Sequence, residues 1–180
     1  MMMNDIEKIL VSEEQIQQRI QEMGQQLTEE YKDKNPIFLG ILKGVVVFFA
    51  DMIRAVPIPC QMDFMSVSSY GSGTETSGHV VIKKDVSLNI EGRHVVILED
   101  IIDSGLTLSR VIDLLMARKP ASLKICTLLD KPDRRVADID IDMIGFTVPN
   151  EFVVGYGLDY NDHYRNLPFV GVLKREVYEK

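Results

Sequence analysis

VVILEDIIDSGLT, residues 95–107, is the stretch whose reading decides the fold. Val95 to Leu98 form an apolar run, which signals a buried strand, and the adjacent acids Glu99 and Asp100 follow at its carboxyl end. Ile101, Ile102 and a third acid, Asp103, lead into Ser104-Gly105-Leu106-Thr107, a small-residue turn opening into the helical pattern LSRVIDLLMARK. Ligands of α/β sheets bind beyond the carboxyl ends of the strands. A helix start there presents unpaired N–H groups and the positive end of its dipole to an anion. Hydroxyls at Ser104 and Thr107 add donors, and Gly105 lets the backbone curl around a phosphate. The upstream acids would repel that phosphate, so they face sugar hydroxyls or a metal. The stretch predicts a sugar-phosphate site.

Outward from this stretch, strands alternate with helices. Ser12-Glu13-Glu14-Gln15 is a capping-box signature, and Ile16, Ile20, Met23 and Leu27 recur at helical spacing behind it. That helix is expected to end before Lys34-Asn35-Pro36. Ile37 to Leu42 reads as a strand, Lys43-Gly44 as a turn, Val45 to Ala55 as a helix and Pro57 to Val67 as a strand. Residues 68–79, rich in Gly, Ser and Thr, read as a mobile loop, with a strand from Val80 to Lys84 beyond it. After the helix that Lys119-Pro120 ends, Leu123 to Leu129 and Asp142 to Val148 read as strands and Phe152 to Val154 as a short apolar run. The order argues for a mainly parallel sheet flanked by helices, within one domain over residues 1–180.

Composition narrows the partners. A net charge of −7 speaks against nucleic acid, which selects a basic face. No apolar run is long enough to span a membrane, since Asp51 interrupts VVVFFADMI. MMMNDIEKIL carries acids and few apolar residues, so no secretory signal is expected. Cys60 and Cys126 lie far apart in apolar-rich runs and read as buried free thiols of a reducing cytoplasm. His79, His94 and His163 are scattered, which argues against structural zinc. ILKGVVVFFADMI is expected to expose an apolar helix, a candidate dimer interface.

Residues 95–107 resemble the motif that binds phosphoribosyl pyrophosphate (PRPP) in the type I phosphoribosyltransferases: a hydrophobic strand, two acids, two apolar residues, an acid and a Thr/Ser-Gly-x-Thr turn. GILKG at 40–44, SSYGSGT at 68–74, LLDKPDRR at 128–135 and FVVGYGLDYNDHYRNLP at 152–168 resemble segments of its hypoxanthine-guanine branch. The resemblance implies the type I fold with a small base-binding hood. It also implies transfer of a phosphoribosyl group from PRPP to hypoxanthine or guanine. A xanthine-preferring enzyme and a non-catalytic PRPP-sensing regulator are the alternatives.

Site roles follow from the resemblance residue by residue. Glu99 and Asp100 would hold the ribose hydroxyls, and Asp103, Ser104, Gly105, Leu106 and Thr107 the 5′-phosphate, with Asp103 also managing the base N7 proton. Lys43 and Gly44, entered through a cis peptide in many relatives, would contact pyrophosphate together with Arg165. Ser69 and Tyr70 would begin the loop that closes over the reaction. Lys131 would donate to the 6-oxo group of the purine, Phe152 would stack on the base, and the Val153 carbonyl would accept from an amino group. Asp159 would lie beside the base and a second Mg²⁺, while Glu99 and Asp100 complete the metal-ligating set. The family also implies a cytoplasmic homodimer or homotetramer. Two positions depart from its usual pattern. Ser104 replaces a common threonine and keeps the hydroxyl, and Leu106 offers the phosphate only its backbone N–H.

Overall fold

The computed structural model describes residues 2–69 and 80–179, and places the stretch of the opening motif at the centre of a sheet. In chain order the elements are β1 (Ile6–Val11), α1 (Glu13–Tyr31), β2 (Ile37–Leu42), α2 (Val46–Arg54), β3 (Gln61–Ser69), β4 (Val80–Lys84) and β5 (His94–Ile102). They continue with α3 (Leu106–Met116), β6 (Ser122–Asp130), β7 (Met143–Thr147), β8 (Val153–Val154), β9 (Val170–Leu173) and α4 (Arg175–Tyr178). The larger sheet has six strands in the order β4-β3-β2-β5-β6-β7, all parallel to their neighbours except the β3–β4 pair.

Burial explains the sequence pattern. Parallel strands covered on both faces read as continuous apolar runs, and Val95 to Leu98 are each 0% exposed. On one face, Ile16, Ile20, Met23 and Leu27 of α1 join Phe48, Phe49 and Met52 of α2 against Val96 and Leu98. On the other, Leu108, Val111 and Leu115 of α3 pack with Val95 and Ile97. The capping box of α1 is complete: the Gln15 N–H donates to Ser12 Oγ at 3.2 Å, and the Ser12 N–H to Gln15 Oε1 at 2.8 Å.

Several boundaries differ from the sequence reading. The strand expected from Pro57 begins at Gln61, because Pro57 and Pro59 bring no N–H to a ladder and the Ile58 N–H turns back to the Val56 carbonyl. That strand runs on through Ser68 and Ser69, which pair with Val81 and Val80. The motif strand extends beyond Leu98 to Ile102, so Glu99 and Asp100 are ladder residues of β5. ILKGVVVFFADMI is not one exposed helix. Ile41 and Leu42 end β2, and Phe48, Phe49 and Met52 are buried in the core, leaving Val46 as the large apolar side chain that faces out. Cys60 and Cys126 are both free thiols, but Cys60 is only partly buried; burial pushes the Cys126 thiol up to about 12.

A second sheet forms from remote segments: β1 and β8 both pair antiparallel with β9. β1 and β9 were not anticipated, since β1 buries only its ends, Ile6 and Val11, with bulges between them. Tyr164, Leu167 and Phe169 fill this small layer. It is the hood that the family resemblance implied.

Candidate active site

A cleft of about 830 Å³ opens where the carboxyl ends of β2, β5 and β6 meet the hood. Lys43, Gly44, Glu99, Asp100, Asp103, Ser104, Gly105, Thr107, Lys131, Phe152, Val153, Asp159 and Arg165 all line it. Leu106 adjoins them as the first residue of α3, with its N–H 3.4 Å from Ser104 Oγ. Ser69 ends β3, and Tyr70 lies outside the described residues.

The turn entering α3 is built by a left-handed glycine and a clasp. Gly105 caps α3 at φ +77° and offers no side-chain cap, so beyond the Leu106 N–H, which reaches Ser104 Oγ, the N–H groups of the first turn of α3 stay available to an anion. A side chain at Gly105 would meet Ile139 Cδ1 at 2.8 Å. The Ser104 carbonyl accepts from the Val136 and Ala137 N–H groups at 2.9 and 3.0 Å, holding the turn from behind. Arg135 donates to the Asp103 carbonyl at 3.1 Å and pairs with Asp130. Asp103 itself is not a cap. Its Oδ1 lies 2.8 Å from Arg134 Nε, off the N–H direction, so that buried oxygen is charge-paired yet accepts no hydrogen bond.

Glu99 and Asp100 meet a different environment. As successive strand residues they leave opposite faces of β5. Asp100 lies against the turn after β2, where a Cβ on Gly44 would fall 1.8 Å from Asp100 Oδ2. Burial, then the neighbouring Asp100 charge, raises the Glu99 carboxyl well above its ordinary range. Burial also lifts Asp100 to about 6, opposed by the Ile101 N–H and the Arg165 charge and assisted by Asp159. Among the described residues no three His, Cys, Asp or Glu side chains form a metal cage. Two carboxylates, one buried and one half-buried, that make no ion pair among the described residues nevertheless fit Mg²⁺, which takes one or two carboxylates and completes its shell with substrate oxygens and water. Asp159 is less free: Oδ1 pairs with Arg165 at 2.8 Å and Oδ2 accepts from the Asp162 N–H at 2.8 Å.

Across the cleft the peptide Leu42–Lys43 is cis. Lys43 Nζ and Arg165 Nη2 each lie 3.2 Å from Asp162 Oδ1, and Arg165 Nη1 donates to the Gly157 carbonyl at 2.7 Å. The Lys43 and Arg165 contacts hold the Asp162 carboxyl below its ordinary range. Gly157, at φ +99°, lies so close to the Gly44 carbonyl that a Cβ would sit 2.0 Å from it, which joins hood to sheet through backbone.

Lys131 follows β6 and is 6% exposed, with Nζ donating to the Glu151 carbonyl at 3.0 Å. Burial lowers its pKa. The Phe152 carbonyl accepts from the Leu173 N–H of β9. Strand carbonyls alternate sides, so the Val153 carbonyl turns to the open edge of β8. Phe152 is 38% exposed, and its ring stacks on Tyr178 with centroids 4.8 Å apart. Sequence reasoning assigned no role to Arg134, Leu158 or Tyr178, which also line the cleft. Arg134 carried a signal in its place two residues before Val136 in the KPDRR turn. Tyr178 carried none.

A family model described as a phosphoribosyl transferase domain matches residues 8–161. The chain is 56% identical over 179 residues to the hypoxanthine-guanine phosphoribosyltransferase of Bacillus subtilis, covering 99% of each. It is 54% identical over 178 residues to that of Streptococcus pneumoniae, again covering 99% of each. A hypoxanthine phosphoribosyltransferase structure from Staphylococcus aureus superposes with a TM-score of 0.97 at 50% identity, covering 99% of this chain and 97% of that one. The chain belongs to the phosphoribosyltransferase family, in its hypoxanthine-guanine branch.

Proposed function

We propose that this chain transfers the 5-phosphoribosyl group of PRPP to hypoxanthine and guanine, giving the nucleoside monophosphate and pyrophosphate, a step of purine salvage. The observation that carries the reading is one cleft lined by the acidic pair of β5, the uncapped start of α3 and the Lys131–Phe152 corner. The relatives' names favour neither the xanthine-preferring nor the non-catalytic alternative.

In this mechanism the N–H groups and hydroxyls of residues 104–107 hold the 5′-phosphate, and Glu99 and Asp100 hold the ribose hydroxyls. The C1′–pyrophosphate bond breaks early, leaving positive charge on the ring, as in glycoside hydrolysis. Both carboxylates then stabilise that charge. Lys43, the Gly44 N–H and Arg165 receive the negative charge on the leaving pyrophosphate. Glu99 and Asp100, with Asp159 reached through water, would hold Mg²⁺, which when bound with PRPP offsets the same charge. Lys131 donates to the 6-oxo group, a contact adenine cannot complete with its amino donor. Phe152 stacks on the base, the Val153 carbonyl faces its amino edge, and Asp103 exchanges the N7 proton. The segment that follows Ser69, the last residue of β3, and begins with Tyr70 would exclude water during the reaction.

The chain works in the cytoplasm as a homodimer or homotetramer, a reading consistent with free thiols at Cys60 and Cys126 and with no described helix long and apolar enough to cross a membrane. Nucleic acid and membrane are not its partners. The test is pyrophosphate release with PRPP, Mg²⁺ and a panel of purines. Hypoxanthine and guanine are expected to react and adenine not; no release with any oxo-purine would overturn the reading. Light scattering at micromolar concentration checks the assembly.

A further inference from the structure

Phe152, Tyr160 and Tyr178 form a cluster of three rings at the edge of the cleft. Phe152 and Tyr178 lie nearly parallel, 23° apart, whereas Tyr160 meets Phe152 edge-on at 88° with centroids 5.7 Å apart. Both Phe152 and Tyr178 line the cleft. From these contacts we propose that Tyr178 is a positioning residue for the purine: it backs the Phe152 ring and fixes the plane on which the base stacks.

The proposal rests on the base-binding reading of Phe152 and extends it to a residue with no place in the sequence motifs. A Phe side chain 38% exposed has rotamer freedom to lose when a base settles on it. A neighbouring ring in near-parallel contact removes that freedom before the base arrives, and an edge-on tyrosine closes the third side. Tyr178 is itself fixed from the hood. The Lys174 N–H donates to the Asp5 carbonyl at 2.9 Å, and its Nζ to the Asn4 carbonyl at 2.6 Å, which anchors the chain entering α4. Val177 and Tyr178 then pack on the layer containing Val154 and Leu173. The plane of the base platform is therefore set by the segment preceding β1, by the β8–β9 layer and by α4, apart in sequence from Lys131 and the β5 acids.

The hydroxyl of Tyr178 has no part in this role; the ring face does. Steady-state constants for hypoxanthine and for PRPP, measured on the full chain with Tyr178→Ala, Tyr178→Leu and Tyr178→Phe, test it. Loss of the ring is expected to raise the hypoxanthine KM roughly 3- to 15-fold, with the PRPP KM changed less than about twofold. Tyr178→Phe is expected to restore the native value. Tyr178→Leu keeps apolar cover over the hood, so it reports on stacking even where Tyr178→Ala fails to fold. An unchanged or lowered hypoxanthine KM in Tyr178→Leu overturns the proposal, a lowered one because the ring would then be occupying the place of the base. Equal rises in both constants, or failure of Tyr178→Phe to restore the value, overturn it as well. Absence of turnover in the native chain is a separate result, which removes the base-binding reading and this proposal with it.

Discussion

The two sides of the cleft hold their acids in opposite ways. On the β5 side, buried Glu99 and half-buried Asp100 have no ion pair among the described residues, and both carboxyls are raised, Asp100 against the opposing charge of Arg165. On the hood side, Asp159 pairs with Arg165, and Asp162 lies between Arg165 and Lys43 and is lowered. A carboxylate deprived of charge partners is costly in the free protein and is relieved by a ligand that brings hydroxyl donors and a cation. A carboxylate already lying between two cations has to be outcompeted by an incoming anion. On the proposed roles, the difference divides the cleft into a sugar side without direct ion pairs until the ligand arrives and a pyrophosphate side whose acids and cations pair beforehand.

Asp103 lies between these regimes, and substituting it is expected to give the largest effect. Gly105, not Asp103, caps α3, so Asp103→Asn leaves the helix start as it was. An amide cannot accept the N7 proton, and general acid–base work contributes about 10²–10⁴-fold. Single-turnover formation of the nucleotide is expected to slow by that order, with phosphate affinity retained. A near-native single-turnover rate would take Asp103 out of proton transfer and leave its contact with Arg134 as its whole role.

The acids of β5 supply the next test, because their cost has a sign in pH. Asp100 has an ordinary value of 3.8, raised to about 6 in the fold. A carboxyl raised by folding leaves stability highest below about pH 4, and erodes it as pH climbs from there through about 6. Asp100→Asn removes the erosion and retains an acceptor for the Ile101 N–H. The unliganded variant is therefore expected to exceed the native chain by up to about 3 kcal/mol near pH 7 and to match it near pH 4. Its PRPP affinity should fall in return. Urea melts across that range check this, and parallel pH profiles would show that the Arg165 charge fully offsets the cost of burying Asp100 in the free protein.

How legible each side was in the sequence follows from how each is built. The side proposed for sugar and phosphate is local: one strand, one turn and one helix start, contiguous from Val95 to Thr107. Its apolar run, acids and glycine each bear on the same element, so the sequence pattern led directly to the geometry. Only the end of β5 was misjudged, because acids in a strand look like the residues that end one. The hood is assembled from β1, β8 and β9, whose pairings join residues near 6 to residues near 173. β1 buries little and shows no clean alternation, so periodicity could not find it. Asp162 and Tyr178 act through spatial neighbours, and no local pattern announces such contacts.

Lys131 tests the same division at the base. It is a buried cation whose Nζ donates to one carbonyl, that of Glu151. Its charge is disfavoured by burial in the free protein, the mirror image of the acids on β5. Lys131→Ala is expected to raise the hypoxanthine KM by a factor corresponding to roughly 1.5–3 kcal/mol, with the PRPP constant little changed. An unchanged purine constant would leave Lys131 as a clamp on the Glu151 carbonyl.

The smallest effect belongs to the self-neutralised side, and its direction is opposite. Asp162 is exposed, and its Oδ1 lies 3.2 Å from both Lys43 and Arg165, the cations proposed for pyrophosphate. A pyrophosphate oxygen and the Asp162 carboxylate therefore compete for the same two charges. Asp162→Asn removes the competitor's charge and leaves the backbone link intact, since Asp159 accepts from the residue 162 N–H and not from its side chain. Exposed ion pairs are weak, so the gain in pyrophosphate affinity is expected to be only about two- to fivefold. The gain also has a salt signature. Screening weakens the native competition, so the difference between Asp162→Asn and the native chain should shrink as ionic strength rises from about 0.01 M to 1 M. Hypoxanthine affinity, which the proposed function assigns to Lys131 and Phe152, should not move. Calorimetric titration of pyrophosphate at two salt concentrations decides it: weaker pyrophosphate binding in Asp162→Asn would mean that the carboxylate preorganises Lys43 and Arg165 for the ligand, and the two sides of the cleft would then differ in charge balance without differing in what a ligand has to displace.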